Sequence, residues 1–230
     1  MMKNKILWGL TLLPMVVTAV VLRFMPDMVP MHYNASGEID RWGSKYENFE
    51  FPCMIVMITL FWLALMRYYR KKSERVVEDK VIKEAQNNEK ILYYVAVGMA
   101  VMFGCLQYFI LYVAYNTSTA GGDVTTSAIK FDDITNLLMG CFFIYIGNFL
   151  PKAKRNSLAG VRTVWSMHND ITWSKSNRFG GIALMVCGVV TIIETFIVGG
   201  LTSTMIMLGL IICFGVVTCI YSYNIYKKYK

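Results

Sequence analysis

The sequence predicts an all-α integral membrane protein with six transmembrane helices and both termini in the cytoplasm. Three observations carry this. Hydrophobic residues make up 56% of the 230 positions, and mean hydropathy is +0.45; ordinary soluble domains are nearer about 45–50% apolar. The apolar residues come in blocks, at 6–24, 51–69, 91–115, 133–150, 181–199 and 203–226, each close to the roughly 20 residues that cross a hydrocarbon core. These runs are too long and too uniformly apolar for alternating barrel strands. Finally, the connections alternate in positive charge. Eight Lys and Arg lie between Arg67 and Lys90 and six between Lys152 and Arg178, against three from Arg23 to Lys45, one at Lys130 and none between the last two runs. That is the asymmetry of cytoplasmic against external loops. The net charge of +8 is therefore read as orienting the chain in a lipid bilayer, with no direct nucleic-acid contact implied.

The first run follows Lys3 and Lys5 and continues through Leu22. A signal peptide would begin similarly, with Val17-Thr18-Ala19 as a passable cleavage site, but the length of the run favours an uncleaved anchor. Pro14 is expected to bend it. Residues 25–50 form the first outer segment, rich in Pro and Gly, with five carboxylates (Asp27, Glu38, Asp40, Glu47, Glu50) and His32. His32, Asp27, Glu38 and Asp40 are of types that can bind a metal, but their spacing matches no metal-site motif, and the favoured of the two readings is that His32 and Asp40 order a compact loop. Asn34, Gly37 and Gly43 are expected to supply its left-handed backbone positions.

The second run opens on Phe51-Pro52, with Pro tolerated in a first helical turn, and ends in an aromatic and basic anchor, Arg67-Tyr68-Tyr69-Arg70. The charged residues 71–90 are expected to extend as cytoplasmic helix. A polar outer loop, 116–131, follows the third run. Asp132 and Asp133 favour the N-terminus of the fourth helix through its dipole, and Asn136 in that helix must face a neighbour or a cavity. Glu194 lies in the fifth run, about 9 Å from its outer end by helical rise. A carboxylate at depth costs roughly 2.5–3.5 kcal/mol on insertion scales, so Glu194 is expected to be protonated, paired with a donor or in a wet cavity. Gly199-Gly200 makes the turn into the last helix. All six Cys fall in apolar runs and none forms a C-x-x-C pair, which points to reduced packing residues.

The most informative stretch runs from Gly147 to Gly181. Pro151 stops the fourth run, and Lys152, Lys154 and Arg155 follow. An amphipathic middle, Leu158 to Trp173, then carries Arg162, Trp165 and Trp173. Amphipathic aromatics beside Lys and Arg suit a membrane interface. One reading makes this stretch an interfacial tether between two helices, and the other makes it a cytoplasmic docking surface. Arg162 is expected to meet helix-end carbonyls or lipid phosphate, and Trp165 and Trp173 to seat the segment among headgroups.

The order Gly147-Asn148, Pro151-Lys152, Asn156, Gly160, Arg162-Thr163, Trp165 and Trp173 resembles the signature of the SdpI family, bacterial membrane proteins that confer immunity to a secreted sporulation-delaying peptide toxin. Val164 departs from it, standing where the family's R-T-P-W form has Pro. A second pattern, from Pro26-Asp27 through Pro30, His32-Tyr33-Asn34, Gly37 and Asp40 to Gly43-Ser44-Lys45, resembles a small membrane domain that often precedes that signature. The chain accordingly divides into an N-terminal module, 1–90, with two helices, and an SdpI-like four-helix module, 91–230. The resemblance implies a multi-pass protein of the bacterial plasma membrane that acts by binding. Its partners would be a hydrophobic peptide toxin and a cytoplasmic winged-helix repressor captured when toxin is present. The residues implicated in binding are Asn148, Pro151, Asn156, Gly160, Arg162, Thr163, Trp165 and Trp173, with His32, Asn34, Gly37, Asp40 and Glu194.

No phosphate-binding loop, H-E-x-x-H, G-x-S-x-G or dinucleotide fingerprint occurs. The two His, His32 and His168, fall on opposite sides of the membrane in this topology. An enzyme is therefore not expected, and neither a metal nor a cofactor is implied. A small transporter or channel is the alternative reading, for which Glu194 and Asn136 are the best features.

Overall fold

The computed structural model describes residues 2–34, 38–119 and 130–230. Gly37 and residues 120–129 of the second expected outer loop lie outside the described residues. The chain is all-α in its membrane-spanning part. Among the described residues six helices are long and apolar enough to cross a membrane. They are α1 (Met2–Val21), α2 (Glu50–Arg75), α3 (Asp79–Thr119), α4 (Phe131–Phe149), α5 (Asp170–Ile197) and α6 (Gly200–Tyr229). Each apolar run of the sequence lies for most of its length on one of them. Helices satisfy their own backbone groups where no water is present, which is why uniformly apolar runs take this form in lipid. Large apolar side chains stand on their outer surfaces, such as Phe196, Ile197, Leu201, Met205 and Ile212. That arrangement suits a hydrocarbon solvent.

Two helices run well past the apolar blocks. α3 has 41 residues and takes in the charged stretch from Asp79, whose carboxylate sits in its first turn, where the helix dipole favours it. Arg70 near the end of α2 donates from Nε to Glu89 Oε1 of α3 at 3.0 Å. α5 starts at Asp170, before its apolar run, because Asn169 caps it: Asn169 Oδ1 accepts the Thr172 N–H at 2.9 Å, and Thr172 Oγ1 accepts the Asn169 N–H at 3.0 Å. This reciprocal pair is a capping box.

The chain divides into two compact units, residues 1–61 with 99–130 and residues 62–98 with 131–230. In the first unit, β1 (Met28–Tyr33) and β2 (Ile39–Ser44) pair antiparallel as a hairpin. The register runs from Met28↔Ser44 to Tyr33↔Ile39 and is irregular between Pro30 and Tyr33, as expected beside a residue that cannot donate to the ladder. Two backbone expectations are corrected here. Neither Asn34 nor Gly43 has a positive φ. Asn34 instead joins the two strand ends by hydrogen bonds, with its side chain paired to the Glu38 backbone N–H and carboxylate, each at 2.9 Å. Gly43 is needed for space, because a Cβ there would collide with the Glu47 carboxyl and stand 2.8 Å from Met31 Cγ. Glu47 Oε1 is thereby free to accept the Ser44 N–H at 2.8 Å.

Val29 of the hairpin is fully buried and packs with Leu22, Met25, Leu111 and Ala114. Polar side chains tie the helices of this unit together. Gln107 Nε2 donates to Thr18 Oγ1 at 3.0 Å and to the Asn48 carbonyl at 3.1 Å, and Thr11 and Thr59 share a hydrogen bond of 2.9 Å. Interhelical hydrogen bonds of this kind substitute for the hydrophobic effect, which does not act between helices in lipid.

In the second unit the closest packing is between α4 and α5. Gly147 meets Gly181 and Gly140 meets Gly188, so the helices run antiparallel. A Cβ on Gly181 would lie 2.6 Å from the Gly147 carbonyl oxygen, and one on Gly140 would lie 2.9 Å from that of Gly188. Small residues at an interface let helix backbones approach this closely. Tyr145 of α4 donates to the Tyr94 carbonyl of α3 at 3.0 Å, and Phe149 stacks on Tyr94.

Candidate functional site

After Pro151, in a short 3₁₀ turn (Leu150–Lys152), residues 153–169 fold onto the ends of α5 and α6. Asn156 organises the first half. It is 2% exposed, and its Oδ1 accepts the N–H groups of Leu158 and Ala159 at 2.8 and 2.9 Å. Its Nδ2 donates to the carbonyls of Lys154 and Ala159 at 2.8 and 3.1 Å. All four hydrogen-bonding positions of one amide thus go to its own loop. Ser157 ties this half to α3, its N–H and hydroxyl both reaching Glu84 Oε1, at 3.1 and 2.8 Å.

At Gly160 the chain turns with φ +130, a conformation that disfavours a side chain. A Cβ there would also press on Asn177 Oδ1 and on the Trp173 ring, 2.8 Å away. Asn177 of α5 accepts the Val161 N–H at 2.8 Å. Ser166 knots the second half, donating to the Val161 carbonyl at 2.6 Å and accepting the Thr163 N–H at 2.9 Å. The Thr163 hydroxyl joins Ser222 of α6 at 2.7 Å.

Several expected roles change. Trp173 is no headgroup anchor: it is 2% exposed, and its Nε1 donates to the Ala153 carbonyl at 2.8 Å. Trp165 is half-buried against Tyr223. The residue that meets carbonyl groups is Arg155, whose Nη1 donates to Met167 and His168 at 3.1 and 3.3 Å while Nε pairs with Asp170 at 3.0 Å. Arg162 is exposed and makes no hydrogen bond or ion pair with any described residue. Beside it Val164 is 88% exposed. The arrangement is a plate with a hydrogen-bonded interior and a bare face of Arg162 and Val164. Asn148 is exposed and holds the Lys152 ammonium at 3.2 Å, while Pro151 packs over Gly181.

The structure thus gathers Asn156, Gly160, Thr163, Trp165 and Trp173 into one element, with Pro151 at its start. His32 and Asp40 pair at 2.6 Å on the hairpin, exposed, in the other unit. Glu194 lies at the far end of α5, about 30 Å from Trp173 by helical rise. There it accepts a hydrogen bond from the Ser203 hydroxyl of α6 at 2.9 Å. Ser203 accepts from Asn136 Nδ2 of α4 at 3.0 Å, and the same amide reaches Thr204 at 3.1 Å. Gly199 and Gly200 turn the chain with φ 65 and 59, and the Gly200 N–H donates to Asp133. Arg155, Ser166, Asn177 and Ser222 were missed as site residues. The Asn169-x-x-Thr172 box marks the start of α5 and was legible as a cap.

Fold and site together define a multi-pass helical membrane protein with a hydrogen-bonded plate at one end of α5 and α6 and a buried polar cluster at the other. Residues 152–222 match the SdpI/YfhL protein family, and residues 9–56 match a domain of unknown function (DUF1648). The chain is similar to the immunity protein SdpI of Bacillus subtilis (strain 168), with 24% identity over 228 residues, 99% of this chain and 98% of that relative. No solved structure matches. The resemblance read from the sequence therefore stands, and the chain is a multi-pass protein of the bacterial plasma membrane.

Proposed function

We propose that this protein confers immunity to a secreted hydrophobic peptide toxin by binding it in the membrane, and that the plate at residues 153–169 offers a docking surface to a cytoplasmic repressor of winged-helix type. The observation that carries the first part is the similarity to an immunity protein along almost the whole of both chains. The docking surface rests on the plate itself. Its interior amides and hydroxyls are committed to the loop and to α5 and α6, while the Arg162 guanidinium, with its planar set of donors, and the Val164 side chain are left outward. The test is expression in a toxin-sensitive cell, scoring survival together with membrane recruitment of a candidate repressor. Survival is expected with the wild type, and the double variant Arg162→Ala, Val164→Ala is expected to keep survival and lose recruitment. Unchanged killing of cells expressing the wild type would overturn the immunity reading. Recruitment unaffected in the double variant would overturn the docking surface.

The excess of Lys and Arg at 67–90 and 152–178 supports an orientation with both termini and the plate in the cytoplasm and the hairpin outside. In a background lacking other Cys, Met28→Cys is expected to react with an impermeant thiol reagent in intact cells. Val164→Cys is expected to react only after the membrane is opened. The reverse pattern would invert the topology.

A further inference from the structure

The cluster at the Gly199 end of α5 holds an acid whose partners are incomplete. Glu194 is 9% exposed, and Ser203 satisfies Oε1, but Oε2 is buried without a hydrogen bond. On the same face one turn earlier, Thr191 Oγ1 is buried as well and lacks a full hydrogen bond, with the Cys187 thiol as a weak neighbour. Around them stand the oxygens of Thr195, Ser203, Thr204 and Asn136, contributed by α4, α5 and α6.

Among the described residues no Lys, Arg or His pairs with Glu194, and the cation nearest along the chain to the start of α4 is Lys130. The other ionisable groups that α4 and α5 bring to this region are Asp132, Asp133 and Cys187. Asp133 is engaged by the Gly200 N–H, and α6 carries no ionisable side chain from Gly200 to Ile212. The site is therefore rich in oxygen, carries a carboxyl and is set in an apolar span. A carboxylate there needs a positive charge or a proton to be tolerated. Hard cations take oxygen ligands of this kind.

From the unpartnered Glu194 Oε2 and the unpartnered Thr191 hydroxyl, three residues apart on α5, we infer that the α4–α5–α6 cluster binds a sodium ion. The inference does not depend on the immunity reading. Occupancy would give Oε2 its missing partner and tie α5 more firmly to α6 through Ser203.

The full chain, purified in lipid nanodiscs, tests this by equilibrium binding of radioactive sodium. Saturable binding is expected in the wild type, lost in Glu194→Gln and weakened in Thr191→Val. Because binding is read first on the wild type, a poorly folded variant does not leave the question open. Wild-type protein without saturable sodium binding overturns the inference. So does a well-folded Glu194→Gln that still binds sodium.

Discussion

Replacing Gly181 with alanine is expected to disrupt the packing of α4 on α5 and to remove most of the folded protein from the membrane. The added Cβ would lie 2.6 Å from the Gly147 carbonyl oxygen and 2.8 Å from Pro151 Cδ. Neither atom can turn aside, since one is helix backbone and the other belongs to a rigid ring. The helices must separate instead, and Gly140 with Gly188 forms a second close contact on the same pair of helices. Overpacking typically costs about 1–3 kcal/mol and occasionally more. In lipid the loss is compounded, because close packing and interhelical hydrogen bonds are what hold helices together. Gly9→Ala is the matched control, since nothing lies within 4 Å of a Cβ there. Thermal unfolding of both variants in detergent, with monodisperse yield, decides the matter. A Gly181→Ala protein that melts with the wild type would remove the glycine contact as a determinant of the fold.

Trp173→Ala is expected to be comparably severe at the other site. The ring is 2% exposed, lies against Gly160 and donates to the Ala153 carbonyl. Truncating a buried Trp to Ala costs about 3–5 kcal/mol through the cavity left behind, and here the Ala153 carbonyl also loses its donor. The plate is expected to detach from α5 and become sensitive to protease between Ala153 and Asn169. Trp173→Phe, which keeps much of the volume but not the hydrogen bond, should fall between. A Trp173→Ala protein with wild-type melting and an uncut plate would return the residue to the role of a surface anchor.

The six helices were legible because hydrocarbon thickness imposes a run length that composition reports directly. Their ends were not, because beyond the bilayer a helix continues for local reasons. The Asn169 cap begins α5 well before Gly181, and α3 starts as far out as Asp79. The hairpin was hidden by Pro30 and by turn residues that read equally well as a compact loop. At the plate, uncommon residues at fixed offsets identified the element but not what each side chain does. An Asn that organises its own loop and an Asn that meets a partner look the same in sequence, as Asn156 illustrates. Arg155 and Arg162 were likewise indistinguishable until one was seen among carbonyls and the other outside. The glycines at 140, 147, 181 and 188, spaced by seven in each helix, are the sequence signal of this close packing.

The hydrogen bonds of Asn136 bear on how the protein is made. Its partners, Ser203 and Thr204, lie 67 and 68 residues further along the chain. At about 5–20 residues per second of synthesis, α4 leaves the ribosome several seconds before α6 exists. During that interval the Asn136 amide has neither partner, so α4 enters the bilayer with a polar group unmatched or waits at the insertion machinery. The last helix to be synthesised is thus the one that completes the interior of the fourth, and biogenesis of this unit cannot finish helix by helix.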